Sequence, residues 1–365
     1  MATALAYAPI NLPKRYPLIK NVEGSLPFAA DSTSNPLRID PSGLLLGLLL
    51  TFSGTNTTGA TAPVPNNSSP YGLISGVNIS TGGGVGQSIN VSAYELNVAE
   101  RTREPGYVDA PIVNVTVSVA NELQFDLFVP ICVRLGDLYA EWTDILGSIF
   151  TGDPTISCNL RVTWADAGQI FSNQAAAAAV IAGTLTVTSY KLDTPNPDQD
   201  PMLLAAISWT HILIEERLDL GATQNPYLMP TNEPRVYLRI WNLYGDGASP
   251  NFTWKNGVLT QWDLNLQDYL HFYQNIPEQV LLAEQLRAYD HALPAGTYVA
   301  DFARSMYRNQ WLPVNNVTLF KNAPTFTAPG AGAQVHVVQE SIVPSPLARK
   351  WMASAQAAGV PVQMA

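Results

Sequence analysis

The sequence predicts an all-β chain of two tandem β-sandwiches, with one short helix in each half. Three observations support this fold class. Apolar and polar residues alternate along most of the chain, as in half-buried strands. Stretches rich in Gly, Asn, Thr and Pro separate these segments, as turns and loops do. Only two longer segments, 137–150 and 277–290, carry apolar residues at helical spacing.

The most apolar segment is the run of leucines between Gly43 and Gly54. It holds about ten residues, whereas a membrane-spanning helix needs roughly 20. A signal peptide would start near the N-terminus behind basic residues, but a long, mostly polar and Pro-rich segment precedes this run. We therefore predict a strand buried on both faces. A short buried helix and an interfacial segment are the alternatives.

The first half contains strand patterns, a long polar loop and one helix. The predicted strands share alternating or continuous apolar residues and cover 37–52, 88–98, 112–135 (as two strands), 155–164 and 183–192. Between the first two, residues 53–88 have the composition of a loop and include TGGGVGQ. Asp137 can cap the helix predicted over 137–150. Residues 174–182 predict a short Ala-rich helix or a packed loop.

The second half repeats this order after a Pro-rich linker at 194–201. Its predicted strands have the same apolar patterns and cover 202–218, 234–244, 296–304, 315–320 and 334–343. Residues 245–275 predict a second long loop. Pro277 and Glu278 suit the first turn of the helix over 277–290.

Two β units of about 150 residues each, with long loops, favour tandem jelly rolls, that is, a double jelly roll. The predicted divisions are an N-terminal arm (1–30), a first jelly roll (31–195), a second jelly roll (196–345) and a C-terminal tail (346–365).

The composition indicates a surface of neutral polar groups. Charged residues make up 13% of the chain, about half the usual share. Such a surface suits a protein that is covered by copies of itself, since interface cores are depleted of charge. It also suits an adhesin or a secreted lectin. The net charge of −10 argues against a dominant nucleic-acid-binding role, which requires clustered Lys and Arg.

The few cations concentrate near the two ends of the chain. Lys14, Arg15 and Lys20 precede the first acidic residue, and Arg349 and Lys350 follow the last one. They either lie in solvated tails or contact an anionic inner layer of lipid or nucleic acid. They are the candidate membrane- or interior-facing residues of this chain.

No residue pattern predicts a catalytic, cofactor or metal site. The four histidines lack the paired spacing of zinc motifs, and we expect His211 and His336 to be packed or edge residues. TGGGVGQ lacks the Lys-Ser/Thr of a phosphate loop. Glu215 and Glu216 are adjacent, so a strand would point them to opposite faces. The two cysteines, Cys132 and Cys158, predict small buried residues, and their pairing is left open.

Three short segments resemble one protein family. PAGTYVADFARS (294–305) is similar to part of the second roll in major capsid proteins of the double jelly-roll lineage, from tailless icosahedral phages and viruses with an internal membrane. NNVTLF (315–320) resembles a neighbouring strand. SNPLRIDPSGLLLGLLLTFSG (34–54) resembles the first strand, which follows an N-terminal arm. The order of arm, roll, linker, roll and tail extends the resemblance over most of the chain.

The resemblance implies a structural protein without enzymatic activity or cofactor. Three copies would give six rolls and a pseudo-hexagonal tile of an icosahedral shell. The expected partners are further copies, other capsid proteins at the vertices and internal membrane lipid, without specific nucleic-acid recognition. The protein would be made in the host cytoplasm and located in the virion. The cations of the tails would then face the anionic membrane.

Two other functions fit the composition. A carbohydrate-binding or adhesion protein, such as a phage spike or fibre, needs an aromatic platform, and the segment 241–262 contains Trp241, Trp254 and Trp262. Exposure of these three rings would favour it. A glycan-degrading β-sandwich enzyme needs two carboxylates at a fixed separation in a cleft. The sequence offers no marked pair.

Overall fold

The computed structural model shows a chain dominated by β-strands in three sheets. The residues that it describes are 17–82, 86–103, 110–133, 145–153, 156–193, 201–220, 226–231, 234–247, 252–267, 269–304, 311–314, 317–327 and 329–345. No helix within these ranges is long and apolar enough to cross a membrane.

The described ranges contain strands in both halves of the chain. They are β1 (Leu18–Pro27), β2 (Leu37–Arg38), β3 (Leu44–Thr57), β4 (Ile74–Thr81), β5 (Gly86–Val91), β6 (Ile112–Val113), β7 (Ala120–Pro130), β8 (Ile149–Phe150), β9 (Cys158–Trp164), β10 (Val180–Leu192), β11 (Trp209–Asp219), β12 (Tyr227–Leu228), β13 (Val236–Asp246), β14 (Thr253–Trp254), β15 (Leu259–Leu266), β16 (Leu270–Ile276), β17 (Thr297–Asp301), β18 (Leu312–Pro313), β19 (Phe320–Phe326) and β20 (Gln334–Pro344). The α-helices are α1 (Ala93–Arg103), α2 (Gln174–Ala177), α3 (Pro201–Ile207) and α4 (Glu278–Tyr289).

The leucine run forms β3, the central strand of the first sheet. The strand order is β1-β10-β3-β7-β6, and β8 also pairs with β3. Leu48, Leu50 and Phe52 are fully buried. Gly47 is required here because a Cβ atom on it would lie 2.2 Å from the ring of Phe128. The prediction of a buried strand is therefore confirmed, with both faces buried over residues 44–46 and Leu49 only partly buried.

The second sheet runs through both halves of the chain. Its strand order is β14-β13-β20-β11-β5-β4-β9-β2, with β17 and β18 also paired to β13. The halves meet where β5 pairs with β11 in parallel, at Leu213 opposite Ile89 and Ile214 opposite Asn90. The first half of this sheet packs with the first sheet into one sandwich, whose core joins β3, β7 and β10 to β4, β5 and β9.

The third sheet, in the order β12-β19-β15-β16, completes the second sandwich. Its core includes Tyr237 and Tyr244 of β13 together with Trp262 of β15 and Phe320 of β19. Two β-sandwiches are thus present, as the sequence predicts, and the ten-stranded sheet contributes strands to both.

The last strand of each sandwich occupies an interior position in its sheet. β10 lies between β1 and β3, and it pairs along its length with both. β20 lies between β13 and β11 in the same way. Each sandwich therefore depends on a strand that comes late in its part of the sequence.

Several local predictions differ from the structure. The strand expected over 88–98 ends at Val91, and α1 begins at Ala93. The segment 202–218 is helix α3 followed by β11. The expected loop 245–275 contains three strands, β14 to β16. In each case the packing of the whole sheet overrides the local pattern.

Other local predictions fall partly outside the described ranges. The helix expected over 277–290 is confirmed as α4. Most of the helix expected over 137–150 lies outside the described residues, and Ile149 and Phe150 form β8. Residues 18–27 of the expected N-terminal arm form β1, which is hydrogen bonded to β10. Cys132 and Cys158 are buried, and no disulfide joins them.

Candidate functional site

Helix α1 lies at the junction of the two sandwiches and follows β5 directly. Its start is a capping box formed by Ser92 and Glu95. The Ser92 N–H donates to Glu95 Oε2 at 2.7 Å, and the Glu95 N–H donates to Ser92 Oγ at 3.3 Å. Such reciprocal bonds satisfy two backbone donors at a helix start. They also fix the other oxygen of Glu95, Oε1, toward the second half of the chain.

Almost every residue of α1 is buried, including its charged residues. Leu96 and Val98 belong to the core of the first sandwich. Tyr94 stacks on Trp254 of β14, with ring centroids 4.9 Å apart and an interplanar angle of 4°. The helix therefore contacts both halves of the chain.

The first buried charge cluster centres on Glu340 of β20, and we call it the Glu340 cluster. Arg103 Nη2 of α1 and His211 Nε2 of β11 both lie 2.9 Å from Glu340 Oε1. Arg239 Nη1 of β13 lies 2.9 Å from Glu340 Oε2. One carboxylate thus connects four elements of the junction.

Further ion pairs extend the Glu340 cluster. Arg103 also pairs with Glu100, one helical turn earlier, at 2.9 Å. Arg239 Nε lies 3.2 Å from Asp301 Oδ1, and the Tyr289 hydroxyl donates to Asp301 Oδ2 at 2.9 Å. A buried charge costs several kcal/mol unless it is paired. These ion-pair and hydrogen-bond partners allow the charged groups to remain buried.

The protonation states in the Glu340 cluster follow from burial and charge. Burial favours the neutral form of Glu340, but Arg103 and Arg239 overcome this effect and hold its pKa well below the usual value. Burial lowers the pKa of His211 even though Glu340 favours the charged ring. The carboxylate is therefore ionised, and the imidazole is neutral near pH 7.

The second cluster consists of Glu95, Glu215, Arg217 and His336, and we call it the His336 cluster. His336 Nδ1 of β20 lies 2.7 Å from Glu95 Oε1 of α1 and 2.9 Å from Glu215 Oε1 of β11. Arg217 forms an ion pair with Glu215 and is half exposed. The cluster again joins α1 to two strands of the second sandwich.

Each group in the His336 cluster affects the pKa of the others. Burial lowers the pKa of His336, but hydrogen bonds to Glu215 and Glu95 more than compensate and raise it to about 9. Burial raises the pKa of Glu95. For Glu215, the bonds to His336 and Arg217 outweigh burial and lower the pKa. Of the residues that the structure describes, Glu95, Glu215 and His336 are the one set spaced to hold a metal ion.

The chain resembles known proteins in structure rather than in sequence. No protein-family model matches it, and no curated protein matches it. Solved structures do. The structure of the STIV MCP covers 91% of this chain and 98% of its own, at 16% sequence identity and a TM-score of 0.66. A chain from Sulfolobus Turreted Icosahedral Virus covers 94% and 95%, at 16% identity and a TM-score of 0.69. The major capsid protein P2 from bacteriophage PM2 covers 90% and 98%, at 11% identity and a TM-score of 0.56.

This chain is a double jelly roll. The alignments run nearly end to end in both partners, so the likeness includes both sandwiches and their junction. The predicted fold class is confirmed. In this chain, the Glu340 and His336 clusters lie between the two rolls and connect the first roll to the second.

The candidate cations of the double jelly roll are mostly outside the described residues. Lys14, Arg15, Arg349 and Lys350 all lie there. Lys20 is exposed on β1, with its Nζ 4.9 Å from the centroid of the Tyr190 ring. The contact of these cations with lipid therefore stays a prediction.

The aromatic platform expected for carbohydrate binding is absent at the three tryptophans concerned. Trp241 and Trp262 are 1% and 0% exposed, and Trp254 is 6% exposed between Tyr94 and His336. All three serve as core residues of the double jelly roll. The carbohydrate-binding alternative has no support.

Neither cluster was predicted, in part because residues 88–98 were expected to form a strand rather than the start of α1. The signal was present: Ser92-Ala-Tyr-Glu95 is a capping-box pattern, which predicts a helix start. His211 and His336 are buried, as expected, and each also bonds to a carboxylate. Only the tertiary pairing of β11 with β20 brings these residues together.

Exposed apolar side chains lie on the edge strands of the first and third sheets, which we call the outer sheets. They are Val22 on β1, Ile112 on β6, Leu228 on β12 and Leu270 on β16, with exposures of 71%, 37%, 58% and 43%. An edge strand has unpaired backbone groups and associates readily with other chains, so proteins usually protect it with charge. These edges are candidate contact surfaces.

Proposed function

We propose that this chain is the major capsid protein of an icosahedral virus, and that three copies form a pseudo-hexagonal tile of the shell. The observation that carries the proposal is the end-to-end match of its double jelly roll to the STIV MCP and to the major capsid protein P2 from bacteriophage PM2. Both rolls and their connection are included. A fold alone does not imply function, so the surface must support the same conclusion.

The surface supports an assembling protein. Charged residues make up only 13% of the chain, which suits large contacts between copies. The outer-sheet edges carry exposed Val22, Ile112, Leu228 and Leu270. Leu286 and Val280 of α4 are also exposed, at 54% and 41%. Obligate interfaces are large and more apolar than other contacts, so these residues suit burial between copies.

Further details follow from the same proposal. The protein has a structural role without catalysis, it is made in the host cytoplasm and it resides in the virion. Its partners are other copies, different capsid proteins at the vertices and, beneath the shell, membrane lipid. The cations Lys14, Arg15, Lys20, Arg349 and Lys350 contact the anionic surface, each contributing about 1 kcal/mol. Specific nucleic-acid recognition is not part of this role.

The first experiment measures the mass of the purified protein by light scattering and images the same fraction by negative-stain electron microscopy. We expect a particle of three chain masses, with a chain of 39.5 kDa, or larger tiles and shells. A stable monomer at every salt concentration and pH tested would contradict the proposal.

A matched pair of variants separates assembly from folding. We expect the fourfold variant Val22→Lys, Ile112→Lys, Leu228→Lys and Leu270→Lys to remain folded but to lose the trimer, since each change puts a charge on an exposed edge. The control is Glu122→Gln, which alters an exposed polar residue of β7. A trimer that survives all four changes would show that these edges are not the contacts.

A further inference from the structure

The His336 cluster has the composition and spacing of a metal site. One atom each from Glu95, Glu215 and His336 can be chosen so that all three lie within 4.8 Å of one another. The nitrogen concerned is Nδ1, which lies 2.7 Å and 2.9 Å from the two Oε1 atoms. One imidazole nitrogen and two carboxylate oxygens are ligands that Zn²⁺ accepts.

Two of the ligands are oriented by a partner on their second atom. His336 Nε2 lies 3.3 Å from Gln334 Oε1, and Gln334 Nε2 in turn donates to Asp219 Oδ1 at 2.9 Å. This arrangement keeps a proton on Nε2, so the proton on Nδ1, which is shared with the two carboxylates, is the one that a metal ion would replace. Glu95 Oε2 accepts from the Ser92 N–H. Such partners are characteristic of metal-binding residues because they fix ring and carboxylate orientation.

The surroundings also suit a metal ion. The ring of Trp254 packs edge-on against His336 at 4.8 Å, and Phe252 stacks at 6.1 Å. An apolar shell of this kind limits the access of water. Arg217, which holds Glu215 through an ion pair, has a half-exposed side chain and marks the route to solvent.

We propose that Glu95, Glu215 and His336 bind one Zn²⁺, with a water molecule as the fourth ligand. The ion takes the place of the proton that Nδ1 shares with the carboxylates. With ligand distances of about 2.0–2.2 Å, the two oxygens move away from Nδ1 by several tenths of an ångström. The negative charges of the two carboxylates balance the charge of the ion. The Arg217 side chain is half exposed, so solvent screens its repulsion from the ion.

The site would cross-link the two rolls. Glu95 belongs to α1 of the first roll, and Glu215 and His336 belong to β11 and β20 of the second. An ion that binds only the folded junction stabilises the protein, and the stabilisation grows with the logarithm of the ion concentration once this exceeds the Kd. This role is separate from capsid assembly, and a monomer could bind the ion equally well.

The test uses the full chain after treatment with a chelator and dialysis. Calorimetric titration with ZnCl₂ should show one site per chain, with a rise in the melting temperature. MgCl₂ should show no such binding, because Mg²⁺ prefers an octahedral set of oxygen ligands. His336→Gln should abolish zinc binding.

A milder variant keeps the test decisive if His336→Gln does not fold. Gln334 is only partly buried, so Gln334→Ala should remain folded and should weaken zinc binding by about 10- to 100-fold, as loss of a partner behind a metal ligand does. The control is His271→Gln, which removes an exposed histidine of β16 and should leave zinc binding unchanged. Absence of a stoichiometric site, or equal binding by wild type and Gln334→Ala, would overturn the proposal.

Discussion

At the scale of single residues, Glu340 holds several buried charged groups together. It is fully buried, and it binds Arg103, Arg239 and His211 from three other elements. Neutralising it would leave two guanidinium groups without their shared carboxylate. The energetic effect therefore comes mainly from the charges left behind rather than from the lost contacts.

We expect Glu340→Gln to lower the free energy of unfolding by about 3–5 kcal/mol, the usual result of removing one partner from a buried ion pair. Chemical denaturation of the purified protein measures this change. The control Glu122→Gln removes the same charge from an exposed site and should change stability by less than about 0.5 kcal/mol. Equal effects of the two substitutions would show that the Glu340 cluster does not stabilise the junction.

His211 should make stability depend on pH. Its pKa lies below the usual value because of burial, so below about pH 6.5 the unfolded chain binds more protons than the folded chain. Stability from this residue is then lost as the pH falls below 6.5, with a slope of at most about 1.4 kcal/mol per pH unit. Arg103 and Glu340 are the charged groups that act on the ring.

Urea denaturation at pH 7, 6 and 5 tests this expectation. Wild type should lose stability more steeply toward low pH than His211→Gln, which cannot titrate at this position. The raised pKa of Glu95 acts in the opposite direction, but it is present in both proteins and cancels in the comparison. Parallel stability curves for the two proteins would disprove the role of His211.

Single residues also show where sequence reasoning reaches its limit. The burial of His211 and His336 could be predicted from their apolar or alternating surroundings. Their carboxylate partners could not, because Glu340 is 129 positions from His211 and Glu95 is 241 positions from His336. A local pattern contains no information about which distant strand will be the neighbour.

At the scale of secondary structure, β3 shows why a continuous apolar run is a dependable signal. Leu48 faces the core and is fully buried, whereas Leu49 on the opposite face is only half-buried. Both flanking strands, β10 and β7, pair with it along its length. The run thus reflects burial on both faces over residues 44–46 and burial on one face from Leu48 onward.

The two faces of β3 give a matched pair of substitutions. Leu48→Ala should lower the free energy of unfolding by about 2–5 kcal/mol, because it removes buried methyl groups and leaves a cavity. Leu49→Ala removes the same atoms from a partly exposed position and should have a clearly smaller effect. Thermal or chemical denaturation measures both. If Leu49→Ala were as destabilising as Leu48→Ala, the assignment of the faces would be wrong.

Helix α1 shows the opposite case, in which the pattern misleads. Residues 88–98 alternate like a strand, yet the chain changes to a helix at Ala93. A helix at a buried junction has no polar face turned to water, so its sequence lacks the usual amphipathic signal. Helix α4 lies at the surface, and its bounds agree with the predicted helix, but its inward face does not: Leu281 and Tyr289 are buried as expected, whereas Val280, Ala283 and Leu286 are exposed.

At the scale of the whole molecule, the first strand decides where the N-terminal segment can be cut. β1 forms one edge of the first sheet and carries Glu23, whose Oε1 lies 2.8 Å from Lys191 Nζ. Lys191 is buried, at 1% exposure. The range 1–30 therefore includes residues that belong to the fold of the first roll.

Two truncations test this conclusion. Deletion of residues 1–16 removes no described strand and should leave stability unchanged, while any loss of assembly would assign the segment to contacts between copies. Deletion of residues 1–30 also removes β1 and Glu23, and should destabilise the first roll by several kcal/mol because a buried ammonium loses its closest carboxylate. Equal stability of the two truncated proteins, measured by denaturation, would contradict the structural role of β1.

The interior positions of β10 and β20 have a consequence for synthesis on the ribosome. Each roll leaves a gap between earlier strands until its final strand emerges. The first sheet therefore stays incomplete without β10, and the ten-stranded sheet stays incomplete without β20. The first roll has all its strands before β11 is made, and it presents β5 as a ready edge for the next one. β20 then enters last, bringing Glu340 and His336 to the junction. Unfinished or prematurely terminated chains lack this closing strand, so they cannot form the junction of the two rolls.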